Sequence, residues 1–234
     1  MKRTIAILLI LALALGLMGC GKDSTDIAGS VTPATDPVPV TTEAVQETEP
    51  VSLGRMEGGV YTNEYVGIGC QLDSNWTFYT AEELQELPGQ VHEALQDTEY
   101  SDAGLNQITD MMAENATDLT TMNVQYNKLT MQDRLIFATM NDDAIADVIL
   151  GQSESMVQAY AQAGIENAVL EKKTVTFLGE ERTAVHTSAS VQGIPYYILQ
   201  VFDYSLGQYS VTVTVGSYVE DQTESLLALF YSVE

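Results

Sequence analysis

The feature that most constrains the fold of this 234-residue chain is a run of four alternating segments near its C-terminus. Within each segment apolar and polar residues alternate, which is typical of a half-buried β-strand. A glycine lies between each segment and the next, and glycine favours the tight turn of a β-hairpin. The pattern therefore predicts a four-strand antiparallel meander. Its strands cover residues 168–178, 182–191, 195–204 and 208–216, with turns at Gly179-Glu180, Gln192-Gly193 and Leu206-Gly207.

Two hairpins are predicted before the meander. Residues 66–72 alternate between apolar and small or polar side chains, and residues 60–65 precede them as the other arm of an N-terminal hairpin. Residues 108–113 and 120–129 form the arms of the second hairpin, and the later arm alternates clearly. Residues 106–114 also suit a helix, so the sequence leaves both alternatives open for the earlier arm.

Helices are predicted between these strands. Thr80 and Glu83 have the spacing of a capping box, which indicates a helix over residues 81–87. The proline and glycine that follow interrupt this helix, and a second helical stretch is expected over residues 90–97.

The longest predicted helix begins at Asn141. Its apolar residues recur with a period of 3.6, and Gly164 suits the left-handed residue that ends a helix. Asp221 and Glu224 resemble a capping box before a final helix. The residues expected to line that helix are Leu226, Leu227 and Phe230.

Together these elements predict an α+β fold. Strands, then helices, then a meander and a closing helix are the order expected when an antiparallel sheet is covered by helices. The sheet is predicted to contain the N-terminal hairpin and the C-terminal four-strand meander.

The first twenty residues predict export and lipid attachment. Lys2 and Arg3 precede a nearly unbroken apolar run over residues 4–18, which is shorter than the ~20 residues needed to cross a bilayer. Residues 17–20, Leu-Met-Gly-Cys, resemble the lipobox of bacterial lipoproteins. The resemblance implies a signal peptide over residues 1–19 and lipidation of Cys20, which anchors the chain to the membrane.

The next segment predicts a tether. Residues 20–58 are rich in Thr, Pro and acidic residues, and the stretch contains no aromatic residue and no strand or helix periodicity. Such a composition cannot bury enough apolar surface to offset the entropy of ordering, so the tether is predicted to be disordered. Residues 59–234 then form a globular domain of ordinary size.

The charge excludes one class of partner. The chain has 33 acidic and 9 basic residues, a formal net charge of −24, and two of the bases lie in the predicted signal peptide. Nucleic acid binding needs clustered Lys and Arg, so nucleic acid is excluded. The same balance disfavours docking on an anionic membrane surface.

A family resemblance adds to this interpretation. Residues 61–65 (Tyr-Thr-Asn-Glu-Tyr), Gly67, Ile68 and Trp76 resemble the opening hairpin of PsbP/Mog1-type domains. The long helix, the meander and the terminal helix are similar to the rest of that fold. The chain also resembles lipoproteins of anaerobic Gram-positive bacteria. These likenesses imply accessory work on membrane complexes, or partner binding, without catalysis.

The sequence contains few candidate catalytic or metal-binding residues. His92 begins His-Glu-Ala-Leu-Gln, in which Gln96 occupies the position of the second histidine of a zinc protease motif. His186 is expected to face solvent or a neighbouring strand, and Cys70 is expected to be buried and inert. Neither acidic cluster has the spacing of a calcium loop, and the first is better explained as a helix cap. The clusters are Asn141, Asp142, Asp143 and Asp147, and Asp97, Glu99 and Asp102.

The sequence therefore predicts no catalytic residue, no metal site and no cofactor. The expected function is that of a non-catalytic protein on the outer face of the cell membrane, anchored by Cys20, which binds a partner protein or supports a membrane complex. The alternatives are capture of a small ligand or cation at the cell surface, and an unrecognised hydrolase.

Overall fold

The fold is described for residues 52–85, 107–203 and 209–233 of a computed structural model. Most of these residues lie in antiparallel strands and the rest include five short helices, so the predicted α+β class is confirmed. The strands are β1 (Arg55–Glu57), β2 (Val60–Asn63), β3 (Ile68–Gln71), β4 (Trp76–Phe78), β5 (Gln107–Asn115), β6 (Thr121–Lys128), β7 (Ile165–Phe177), β8 (Glu180–Val191), β9 (Ile194–Asp203), β10 (Tyr209–Tyr218) and β11 (Phe230–Ser232). The helices are α1 (Ala81–Gln85), α2 (Met131–Phe137), α3 (Asp142–Leu150), α4 (Ser153–Gln162) and α5 (Thr223–Leu227).

The strands form two sheets. The large sheet has seven strands in the order β4-β5-β6-β10-β9-β8-β7, and the small sheet has four in the order β1-β2-β3-β11. The predicted meander is confirmed as β7 to β10, and the second hairpin as β5 and β6. The helix alternative for residues 106–114 is wrong, because residues 107–115 pair with β6.

The N-terminal hairpin forms as predicted, but it does not join the meander. Strands β2 and β3 pair with each other, with β1 on one side and with β11 on the other. The predicted tether extends too far, since Arg55–Glu57 pairs with β2. A three-residue strand is too short to show periodicity, so its pairing depends on the hairpin beside it.

The two sheets pack face to face around the main core. Tyr61, Cys70 and Phe230 of the small sheet contact a face of the large sheet that includes Val124 and Val213, and all five side chains are buried. This apolar packing between sheets replaces the helical cover expected on that face.

The opposite face of the large sheet, here the helix-side face, carries a second apolar cluster. Ile145 of α3 and Tyr160 of α4 pack there with Val185 of β8 and Ile198 of β9. The long helix predicted from Asn141 is interrupted at Gly151, so α3 and α4 are separate helices. Glycine is a poor helix former, and the break divides the apolar residues between two helices.

The turn predicted at Gln192-Gly193 lies where predicted, whereas the turn predicted at Gly179-Glu180 lies one residue earlier, at Leu178-Gly179, because Glu180 is the first residue of β8. Leu178 and Gly179 both have positive φ, as do Gln192 and Gly193, at 52° and 79° for the second pair. Positive φ at both central residues defines a type I′ turn, whose twist matches that of the flanking strands. The third turn, at Leu206-Gly207, lies outside the described residues, as does the helical stretch expected over residues 90–97.

The C-terminal segment differs from the prediction. Helix α5 ends at Leu227, and Phe230 begins β11 instead of lining the helix. The predicted capping box is also wrong, because Asp221 Oδ1 accepts hydrogen bonds from the backbone and hydroxyl of Thr223 and Gln222 occupies the N-cap. Among the helices described, none combines the length and the apolar character required to cross a membrane.

Candidate functional site

Helix α2 presents an apolar surface to solvent. A capping box between Thr130 and Asp133 begins the helix. Phe137 is buried in the helix-side cluster, whereas the side chains of Met131 and Leu135 are 70% and 71% exposed. Residues four apart lie on the same side of a helix, so these two side chains form one exposed strip. We call this strip the α2 face.

A buried polar layer lies on the helix-side face of the large sheet. The side chains of Asn123, Gln125, Gln200, Thr212 and Thr214 are all buried there, with at most 2% exposed. We call these five residues the amide layer. Asn123 lies directly opposite Thr214, which lies opposite Gln200, so three members form one row across β6, β10 and β9.

The row is polar in the middle and apolar at both ends. Beyond Asn123 it continues to Met112, which packs against Leu84 of α1. Beyond Gln200 it continues to Val185, which belongs to the cluster under α3 and α4. The amide layer therefore lies between two regions of apolar packing against helices.

The hydrogen bonds within the amide layer are incomplete. Gln125 Nε2 donates to Thr109 Oγ1 at 3.1 Å, and Gln200 Nε2 lies 3.5 Å from Thr214 Oγ1. Both side-chain atoms of Asn123, the Oε1 of Gln125 and the Oε1 of Gln200 are buried without a hydrogen-bond partner. A buried polar atom without a partner costs about 1–3 kcal/mol, so four of them in one place need an explanation.

A second polar group lies between the two sheets. Asp110 occupies a β-bulge of β5, and its carboxyl accepts hydrogen bonds from Tyr61 Oη and Asn63 Nδ2, both at 2.6 Å, and from Gly54 N at 2.8 Å. Burial and the charge of Asp110 raise the pKa of Tyr61 well above its usual value, so the phenol remains a donor. Asn63 also donates to Tyr126 Oη. The geometry is that of a structural network that holds β2 against β5.

His186 is buried against a neighbouring strand, which confirms one of its two predicted environments and excludes solvent. Its Nδ1 lies 3.3 Å from Glu171, and its Nε2 lies 3.0 Å from Asp221 without hydrogen-bond geometry. Tyr197 stacks on the ring. Lys173 also pairs with Asp221, so these polar contacts link β7 and β8 to the segment before α5.

The other candidate residues have structural roles or lie outside the described residues. Cys70 is buried as predicted, and burial raises the pKa of its thiol to about 12. Asn141 caps α3 as predicted, and the acids beside it pair with Arg182 and Lys172. Within residues 52–85, 107–203 and 209–233, no group of three or more His, Cys, Asp or Glu residues is placed to hold a metal ion. Cys20, His92, Asp97, Glu99 and Asp102 lie outside these ranges.

Two features of the site were missed from sequence. The spacing of Thr130 and Asp133 is a capping signal that indicates α2. The alternation of β6 places Asn123 and Gln125 on one face, but that pattern is typical of a solvent-facing side. Nothing in the sequence distinguishes a polar face in water from a polar face that is buried.

No family model matches the sequence, and no curated protein matches it.

Proposed function

We propose that the chain is a non-catalytic lipoprotein on the outer face of the cell membrane, whose folded domain binds a partner protein or supports a membrane complex. The lipobox at residues 17–20 supports the anchor, and the Thr-, Pro- and acid-rich composition of the sequence before the domain supports a tether between membrane and domain. The α2 face is the observation that favours a protein partner, because exposed apolar side chains grouped on one helix often mark a docking surface.

The proposal includes a PsbP/Mog1-like fold. The order of hairpin, helices, meander and closing α5 supports this likeness, and so does the hairpin of β2 and β3, in which residues 61–65 form the end of β2 and the start of the turn. Fold alone does not give a function, so the likeness carries no activity with it.

The negative charge of the chain predicts that its partner is basic where the two meet. Because the chain has a formal net charge of −24, it is expected to associate fastest with a partner whose apolar groove has a basic rim. Association should therefore weaken as salt is added, because salt screens charges at the rim.

The anchor is tested by intact-mass measurement of protein extracted from native membranes. Lipidated Cys20 as the first residue is the expected result. An unmodified Cys20, or a chain that retains Met1, contradicts the anchor.

The partner is tested by cross-linking in the same membranes. A photoreactive side chain at Leu135 is expected to capture one reproducible protein, and the captured amount should fall at least tenfold when Met131→Asp is added. The matched control is Val169, which is 61% exposed on the edge strand β7. Equal capture from positions 135 and 169 contradicts a role of the α2 face.

A further inference from the structure

A pocket opens to solvent on the outer face of the small sheet, the face turned away from the large sheet. Its volume is about 350 Å³, within the ~300–1,000 Å³ of typical small-molecule sites. The charged side chains that line it, Arg55, Glu57 and Glu64, are all exposed, so a ligand can enter directly from water. The other lining residues are Ser52, Leu53, Val60 and Thr62. We call this cavity the β1–β2 pocket.

The strand register places the charged residues in one strip. Arg55 of β1 lies directly opposite Thr62 of β2, and Glu57 is two residues further along β1. Tyr61 is fully buried against the large sheet, so the alternation of a strand turns the next residue, Thr62, outward. Glu64 comes two residues after Thr62 and continues the strip on the other side of Arg55. The order of charges along the strip is therefore acid, base, acid.

These three charges have no partner within the part of the chain that the structure describes. The residue directly opposite Arg55 is a threonine, and neither Glu57 nor Glu64 forms an ion pair with the guanidinium. By contrast, both lysines of β7 and the arginine of β8 pair with carboxyls. One base and two acids that face the same pocket are thus available to a ligand.

The arrangement of the charges selects the ligand. Glu57 and Glu64 are about 13 Å apart along the strands with Arg55 between them, so they cannot share a metal ion. A simple anion would be repelled by both acids, and a simple cation would be repelled by Arg55. A guanidinium binds a carboxylate through two parallel hydrogen bonds, and a carboxylate accepts from an ammonium group. A molecule with one carboxylate and two ammonium groups therefore matches all three side chains.

An aromatic ring lies beside the strip. Gly69 of β3 is directly opposite Thr62, and a β-carbon at Gly69 would lie 2.4 Å from Cε2 of Tyr231. The glycine therefore leaves the space in which the phenol end of Tyr231 lies, next to Thr62 on the outer face. The ring is partly exposed, and an aromatic face attracts cations and packs against aliphatic chains.

We propose that the β1–β2 pocket binds a free basic α-amino acid such as lysine. Arg55 pairs with its carboxylate, and Glu57 and Glu64 each accept hydrogen bonds from one of its two ammonium groups. The lining carries one positive and two negative charges, and the ligand carries the reverse, so the complex is locally neutral. The pocket lies on the other side of the large sheet from the α2 face, and it does not depend on the proposed partner protein.

The test uses the full mature chain and three probes in titration calorimetry. L-lysine has all three charged groups, L-norleucine lacks the side-chain ammonium, and cadaverine lacks the carboxylate. L-lysine should bind about tenfold more tightly than either of the others, because each of them leaves a charged side chain without its partner. The proposal is wrong if L-lysine does not bind at millimolar concentrations. It is also wrong if cadaverine binds equally well, since an acidic surface attracts any cation.

Variants locate the binding. Arg55→Gln should weaken L-lysine by about tenfold without weakening cadaverine, and Glu57→Gln and Glu64→Gln should each weaken L-lysine to a similar extent. The matched control is Glu166→Gln, which removes the same charge at an exposed position of β7 and should not change binding. A loss of affinity in this control equal to that of the pocket variants would mean that net charge alone attracts lysine, which overturns the proposal.

Thermal unfolding separates a ligand contact from a structural role. The three charged side chains are exposed and unpaired, so the three pocket variants should melt within about 2 °C of the wild type in the absence of ligand. L-lysine should raise the melting temperature of the wild type and of Glu166→Gln, but not that of the pocket variants. If the free pocket variants all melt well below the wild type, the charges serve the fold, and the proposal is wrong.

Discussion

The phenol oxygen of Tyr61 lies 2.6 Å from Oδ2 of Asp110, and this hydrogen bond joins the small sheet to the large one. Tyr61 is fully buried and Asp110 is 2% exposed. The bond therefore connects a tyrosine in the first hairpin with a carboxyl 49 residues later, in a place that water does not reach.

Replacing Tyr61 by phenylalanine should lower the free energy of unfolding by about 2 kcal/mol, because a buried carboxyl loses one of its donors. Urea unfolding measures the change. The control is Tyr231→Phe, whose side chain is 41% exposed on β11 and should be within about 0.5 kcal/mol of the wild type. Equal effects at the two positions would mean that the bond does not stabilise the contact between the sheets.

Replacing Arg182 by lysine should destabilise the fold. Its guanidinium pairs with both carboxyl oxygens of Asp142 at the start of α3, and Nη2 also donates to the Phe202 carbonyl at 2.9 Å. Lysine lacks the planar fork, so Arg182→Lys should lower the free energy of unfolding by about 1–2 kcal/mol. Chemical denaturation checks this against Arg55→Lys, an exposed position where little change is expected. A neutral result at position 182 would contradict the structural role of the fork.

One substitution in the turn between β8 and β9 should make the protein more stable. Gln192 has a φ of 52°, which asparagine adopts more readily than glutamine, and Gly193 follows it. Gln192→Asn should therefore raise the free energy of unfolding by about 0.5 kcal/mol, whereas Gln192→Val should lower it by about 1 kcal/mol because a β-branched residue is strained at positive φ. Thermal melts of the two variants should move in opposite directions; a shift in the same direction argues against the type I′ turn.

Asp221 should make stability depend on pH in the acid range. Burial would raise the pKa of its carboxyl, but hydrogen bonds from Thr223 and the nearby His186 and Lys173 outweigh that effect and hold the pKa below the usual 3.8. The stabilisation is present above about pH 4 and is lost as the pH falls through the lower value in the folded state.

The difference in free energy of unfolding between the wild type and Asp221→Asn should therefore become smaller as the pH is lowered from about 5 to 2. Urea midpoints at several pH values measure it. A difference that stays constant over that pH range would show that the pKa of the Asp221 carboxyl is the same in the folded and the unfolded protein.

Local sequence determined most of the secondary structure. Alternation and glycine turns identified the meander, and the spacing of Thr80 and Glu83 identified the start of α1, where Glu83 N donates to Thr80 Oγ1 at 3.2 Å. Asn141 was identified as a cap in the same way. These signals are short-range, so no tertiary contact is required for them to be correct.

Other elements were misassigned because their conformation depends on distant contacts. Phe230 has the spacing of a helix residue after Leu226 and Leu227, but it pairs with Cys70 of β3 instead. Asp221 has the spacing of a capping box, but its carboxyl hydrogen-bonds to Thr223 and ion-pairs with Lys173 of β7.

The sequence by itself determined the alternation of β6, and hence that Asn123 and Gln125 share a face opposite Val124. Only the tertiary structure decided that both faces are buried, one against the small sheet and the other within the helix-side interior. The physical reason is that a period of two fixes which side chains share a face, while burial depends on what packs against that face. The same difference separates the solvent-facing strand face that the sequence predicts from the buried amide layer of the structure.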